Sequence, residues 1–263
     1  EVRAAWRTML EASGLILGSI LSLVALTTLK EYSGWFIALI SLLFIVQMYS
    51  RKQGLFEIGA HVVLSIAAHL ILLDFNIQES RYTLMALSLV ILSLDLIFSR
   101  TYHSPRLLEW IAKGLGAVLT LLASLALIGE SDLLRISVSF AIYTVFFAIY
   151  SLVQRKVAYG FIPAAYLALA IFVALEYENL DAWLPVLTGL AVLYYVIGFA
   201  IRGIKAQTGE PVSWSEMMRV SGLILSSIVS ASALIMEKDF GGYFIAVTAF
   251  LFIVEMFVRQ NGW

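Results

Sequence analysis

The sequence predicts an all-α fold, a polytopic transmembrane helix bundle of about ten helices built from five tandem hairpins. Three observations predict it. Hydrophobic residues make up 61% of the 263 residues and charged residues 13%, with a mean hydropathy of +0.93, whereas a soluble domain is about half apolar and about a quarter charged. Apolar runs alternate with short polar clusters, and about 20 apolar residues suffice to cross a bilayer as a helix. The chain also repeats itself: "SGLILGSI" from Ser13 returns as "SGLILSSI" from Ser221.

Aligned without a gap, residues 13–51 and 221–259 share 21 identities in 39 positions, at an offset of 208. Half that offset, 104, relates Trp6, Trp110 and Trp214, then Arg51, Arg155 and Arg259, then Leu15, Leu119 and Leu223. The expected organisation is a repeat of about 104 residues: a first unit over 1–104 and a second over 105–208, each with four transmembrane helices, and the first two helices of a third over 209–263.

Each segment has local grounds. The segment over 10–29 carries Gly14, Gly18 and Ser22 at i, i+4, i+8, a stripe that lets helix backbones approach closely in lipid. The segment over 34–50 follows "EYSGWF", where Gly34 marks a tight turn beside interfacial aromatics, and closes on Arg51. Those over 55–74 and 82–99 form the second hairpin. That over 107–128 opens after Pro105, which suits a first helical position, and 134–153 ends in "VQRK". In 158–176 and 182–201, Pro163 and Pro185 lie near the helix starts, away from mid-membrane. Ser213 and Glu216 have capping-box spacing ahead of 215–236, which repeats the small-residue stripe as Gly222, Ser226 and Ser230. The last segment, 241–258, follows "DFGGYF" and closes on Arg259, four residues after Glu255, the spacing of a helical salt bridge. Trp6, Trp110 and Trp214 read as interfacial anchors. The stripes read chiefly as contacts within the chain, since the middle copy fills the same positions with Val118, Leu122 and Ala126.

Charge sets an orientation. The turns inside hairpins hold Lys30, Arg81, Arg135 and Lys238, while the other 13 of 17 basic residues lie at the termini and between hairpins. Ten of the 18 acidic residues, among them Glu130, Asp132, Glu176 and Glu178, lie in or beside the within-hairpin turns. The positive-inside rule then makes both termini cytoplasmic, in an integral protein of a prokaryotic cell membrane.

Polar side chains inside a membrane are costly and mark candidate sites. Glu57, His61, Ser65 and His69 stand four residues apart on one predicted helix, and Asp95 lies on the next. Counting rises from the basic side puts His61 and Asp95 at similar depth, with Gln47 near the same level. Gln47, Glu57, His61, His69 and Asp95 are therefore the candidate polar or ligand site, of a kind that holds a cation, a proton or a small polar solute. No metal site is expected, because the histidine spacing matches no zinc pattern. No cofactor is expected either. The absence of cysteine removes disulfides and thiol chemistry. No metalloprotease, phosphate-loop or nucleophile-elbow motif appears, so an enzyme is not expected. Basic residues too thinly spread for nucleic acid leave the lipid bilayer and other membrane-protein subunits as partners. The first expectation is a membrane scaffold or accessory module that acts through helix contacts. The alternative is a small-solute transporter or channel with its site on the segments over 55–74 and 82–99. The chain opens without methionine and stops at Trp263, where another hairpin would begin, so further domains of a longer polypeptide are also expected.

Overall fold

The computed structural model describes residues 32–51, 54–77, 79–101, 106–178, 182–201, 212–236 and 241–260, with residues 13, 14, 17, 18, 20, 24 and 180. Among them it is all-helical, with α1 Ser33–Arg51, α2 Gly54–Asp74, α3 Ser80–Thr101, α4 Arg106–Ile128, α5 Leu133–Gln154, α6 Phe161–Tyr177, α7 Trp183–Ala200, α8 Trp214–Ile235 and α9 Gly241–Gln260. All nine are long and apolar enough to span a membrane, α6 together with the 3₁₀ turn Val157–Gly160 that precedes it. The expected segment over 10–29 lies largely outside the described residues, although its described positions are helical. So do Trp6, Ser22 and Pro105.

Helix ends follow local chemistry. Ser213 accepts a hydrogen bond from the Glu216 N–H at 3.1 Å, and Asp132 caps α5 through the Arg135 N–H at 3.2 Å. Arg155 closes α5 in the left-handed region, φ 54°, with its N–H on the Leu152 carbonyl. Before α1 the left-handed residue is Tyr32, φ 70°, and Gly34 is already helical. Gly34 serves packing instead of the turn: a Cβ there would stand 2.7 Å from the Ile71 nitrogen of α2. Trp110 is 76% exposed, as an interfacial anchor would be, but Trp214 is buried against Val157 and Met217. The anchor reading of Trp214 is thereby corrected, because α6 begins close enough to cover its ring.

The described chain forms two compact units, residues 1–129 and 130–263. In the first, Met48, Ala60, Leu94 and Phe98 make a buried cluster shared by α1, α2 and α3. In the second, Leu187, Ala191 and Tyr194 of α7 and Leu225, Val229 and Ala233 of α8 form the core, against which α6 packs. The most extensive contacts join helices linked across the basic connections: α1 with α2, α3 with α4, α5 with α6, α7 with α8. Within each unit, helices joined by an acidic turn touch less, α6 and α7 least.

Glycines explain three of the four tight pairs. Gly59 of α2 admits Phe44 of α1, and Gly116 of α4 admits Leu92 of α3. On α8, a Cβ at Gly222 would lie 2.6 Å from the Ala191 carbonyl oxygen and 3.0 Å from the Tyr195 nitrogen, both backbone atoms of α7. The predicted stripe on α8 therefore meets its own chain. Ser230 continues it: its hydroxyl lies 3.1 Å from the Phe244 carbonyl and 2.7 Å from the Thr248 hydroxyl, which lies 3.0 Å from the Ser226 carbonyl, and the two hydroxyl protons serve two of these three contacts at a time. A Cβ at Gly18 would meet Leu43 and Ile40 of α1, while one at Gly14 would meet nothing within 4 Å among the described residues.

Backbone cannot retreat like a side chain, so Gly222→Ala is expected to destabilise the second unit by about 1–3 kcal/mol, the usual cost of overpacking. Gly189→Ala, on the same unit with open space around it, is expected to be neutral or stabilising by up to about 1 kcal/mol through helix propensity. Thermal unfolding of the two variants in one detergent checks the contrast, and equal shifts would refute it.

Candidate functional site

The first unit holds the residues singled out in the sequence. Glu57 and Asp95 are each 3% exposed and Gln47 8%, so all three lie inside the unit. Each is next to, or within one turn of, a member of the Met48–Ala60–Leu94–Phe98 cluster, which draws α1, α2 and α3 together. His61 is half-buried with its ring edge-on to Phe98, centroids 5.5 Å apart. Its Nδ1 lies 2.9 Å from the Glu57 carbonyl oxygen. A carbonyl only accepts, so this contact requires an Nδ1–H donor and makes Nε2 an acceptor in the neutral ring. His61 Nε2 and Gln47 Oε1 are both buried without a hydrogen-bond partner among the described residues. Among the described residues no three His, Asp or Glu groups are placed to hold a metal ion.

His69 is not brought to this cluster; it is exposed. The reason is helical geometry. Four residues advance about 400°, so a ribbon at that spacing slips about 40° per step. Glu57 points to the core, His61 and Ser65 stand at its margin, and His69 faces outward.

The second unit holds a buried ion network that the sequence reading did not assemble. Glu255 of α9 is 5% exposed. Its Oε2 accepts from Arg219 Nη1 of α8 at 2.8 Å and from the Tyr195 hydroxyl of α7 at 3.1 Å. Its Oε1 accepts from Arg259 Nε at 3.1 Å, the i, i+4 bridge expected from the spacing. The Arg219 guanidinium lies 5.4 Å from the centre of the Phe199 ring, and its stem runs over Gly198, where a Cβ would stand 2.5 Å from Cγ. One carboxylate thus ties three helices together. Arg219 falls inside the predicted span 215–236 and Glu255 inside 241–258, at similar depths from the basic side. Their similar depth nominates Arg219 and Glu255 as a pair, but only the crossing of α8 and α9 brings them together.

The second unit also contains a groove of about 740 Å³ lined by α6, α7 and α8, almost wholly apolar, with Glu176 and Trp183 at one end and Phe161 and Ser221 at the other. No protein-family model, curated protein or solved structure matches the chain.

Removing one partner from a buried ion pair leaves the other charge stranded. Arg219→Met is expected to cost about 3 kcal/mol, the lower end for such a change because Tyr195 and Arg259 still reach Glu255. Arg259→Ala, whose side chain is 62% exposed, should cost under about 1 kcal/mol. A double-mutant cycle of Arg219→Met with Glu255→Leu should recover part of the loss, measured by unfolding in mixed detergent. Strict additivity would show that the two residues are not coupled.

Proposed function

We propose that the chain is a membrane-embedded helical scaffold or accessory module, acting through helix contacts with partner subunits or with further parts of its own chain. The observation that carries this reading is the use made of polar groups in the second unit. Glu255, Arg219, Tyr195, Ser230 and Thr248 are all engaged in helix-to-helix hydrogen bonds. Such groups fix a rigid arrangement and leave apolar surface for lipid and partners. In this reading the chain is a prokaryotic cell-membrane protein with about ten helices, a repeat of about 104 residues and both termini cytoplasmic.

A second reading, a small-solute transporter or channel, draws on one specific observation: the partnerless acceptors His61 Nε2 and Gln47 Oε1 beside two buried carboxylates. Its solute would be a proton or small cation, since a site made of acceptors calls for a donor.

Native mass spectrometry of the full-length protein in a mild detergent tests the first reading. A stoichiometric protein partner is the expected result. A lone 29.2 kDa species or simple homo-oligomer, combined with dye-reported proton or cation flux into proteoliposomes that Asp95→Asn or His61→Ala abolishes, would replace it with the second. For topology, this cysteine-free chain is expected to label from outside when Ser131→Cys is introduced and from inside when Ala206→Cys is introduced. The reverse pattern overturns the orientation.

A further inference from the structure

One face of α9 copies the face with which α1 holds α2. On α1 that face is a seam of Gly34, Ile37, Ser41, Phe44 and Met48, spaced three and four residues apart, with Ile45 at its margin. Gly34 lies against the α2 backbone, where a Cβ would stand 2.7 Å from the Ile71 nitrogen. Phe44 fills the notch at Gly59, and Ile45 and Met48 pack in the cluster that holds Ala60. Ile37 and Ser41 are buried between them. This spacing is the seam of a helix that lies along another at a shallow angle.

At the offset of 208, α9 carries Gly242, Ile245, Ala249, Phe252, Ile253 and Met256 in the corresponding positions. Five of these six are identical to their α1 counterparts, against five of the other 13 positions in 33–51 and 241–259. None of the six is exposed on α1, and all six are exposed on α9. Met256 is 50% exposed where Met48 is 0%, and Ile245 36% where Ile37 is 4%. The side of α9 turned to its own unit has changed instead. Thr248 replaces Ile40 and Glu255 replaces Gln47, and both bond to α8. A face that meets only acyl chains needs apolar bulk in any order, with neither a 3–4 seam nor a glycine in it. Here the outward face keeps the helix-binding pattern while the inward face has diverged.

The copied seam also specifies what covers it. A Cβ at Gly59 would stand 2.6 Å from the Phe44 ring, so Phe252 needs a glycine abreast of it. Gly34 meets Ile71 while Phe44 meets Gly59, so the helix that fits runs antiparallel. A second α9 meets neither requirement. Two copies inserted the same way would set their α9 helices parallel about a two-fold axis, with Phe252 against Phe252 and no glycine at that level. We propose that this face of α9 is the docking site for a transmembrane helix of a partner subunit. That helix runs antiparallel to α9, with a glycine abreast of Phe252 and a small residue abreast of Met256, as Ala60 is to Met48. The proposal rests on the scaffold reading and gives the chemistry of the partner.

The probe is α2 itself. A peptide of residues 54–74, kept helical by lipid that offers its backbone no other partner, carries Ala60→Cys. It is mixed in phosphatidylcholine vesicles with the full chain carrying Met256→Cys. The chain has no cysteine of its own, so a disulfide reads this contact. Cross-linking is expected, and should fall about tenfold when the peptide also carries Gly59→Leu, which fills the notch. That change lies in the peptide, so the fold of the chain is not at stake. Phe257→Cys, exposed one residue on and about 100° round the helix, is expected to cross-link at background level. No cross-link, one that survives Gly59→Leu, or one equally strong at Phe257→Cys would overturn the proposal. So would chain dimers linked through Met256→Cys without peptide, because a second copy would then be the occupant. A chain that takes the peptide but holds no subunit in native mass spectrometry would sink the scaffold reading and leave the docking face standing. A stable subunit with no docking of the peptide would do the reverse.

Discussion

Helices surrounded by lipid gain nothing by hiding apolar side chains from one another, because the solvent is as apolar as the core. Cohesion must come from backbones that approach closely and from polar groups that find partners across helices. Both devices are visible here, and they act at the same places. Gly222 brings α8 onto the backbone of α7 at Ala191 and Tyr195, and three residues before it Arg219 reaches the carboxylate that Tyr195 also binds. Without the close approach the hydrogen bonds would not span the gap. Without those bonds, Glu255 and Arg219 would be charges stranded in a medium that cannot solvate them.

The same logic explains why a repeated sequence does not carry a repeated site. Glu255 corresponds to Gln47 at the 208-residue offset, and Arg219 corresponds to Glu11. The second unit therefore neutralises its buried carboxylate with an arginine from the neighbouring helix, whereas the first carries at that position a neutral amide with a buried, partnerless oxygen. Glu57, His61 and Asp95 likewise correspond in sequence to Phe161, Ala165 and Phe199 at the 104-residue offset. The second unit thus closes an ion network at positions where the first unit carries different side chains.

Where close approach fails, a space opens. The tight pairs are joined across the basic connections, and glycine is found at three of their four contacts. The acidic-turn pair α6 and α7 lacks such a contact, and the widening between α6 and α8 follows. On the acidic side of the second unit, Glu176 and Glu178 are exposed.

Membrane class, helix spans and caps could be read from the sequence because they are local. Hydropathy over a run of residues decides whether a segment can cross a bilayer, and Ser213 or Asp132 caps a helix through an N–H three positions away. The buried positions of Gln47, Glu57 and Asp95 were also legible, since a polar side chain within an apolar span has few other places to go. Tertiary structure alone decided which face of each helix meets a neighbour. Hydropathy cannot tell a lipid-facing leucine from a core leucine, so it could not show that His69 turns outward, that Trp214 is covered, or that Gly34 serves a helix contact in place of a turn. Nor could it join Arg219 to Glu255 across 36 residues, because that bond depends on the angle at which α8 and α9 cross and not on either sequence alone.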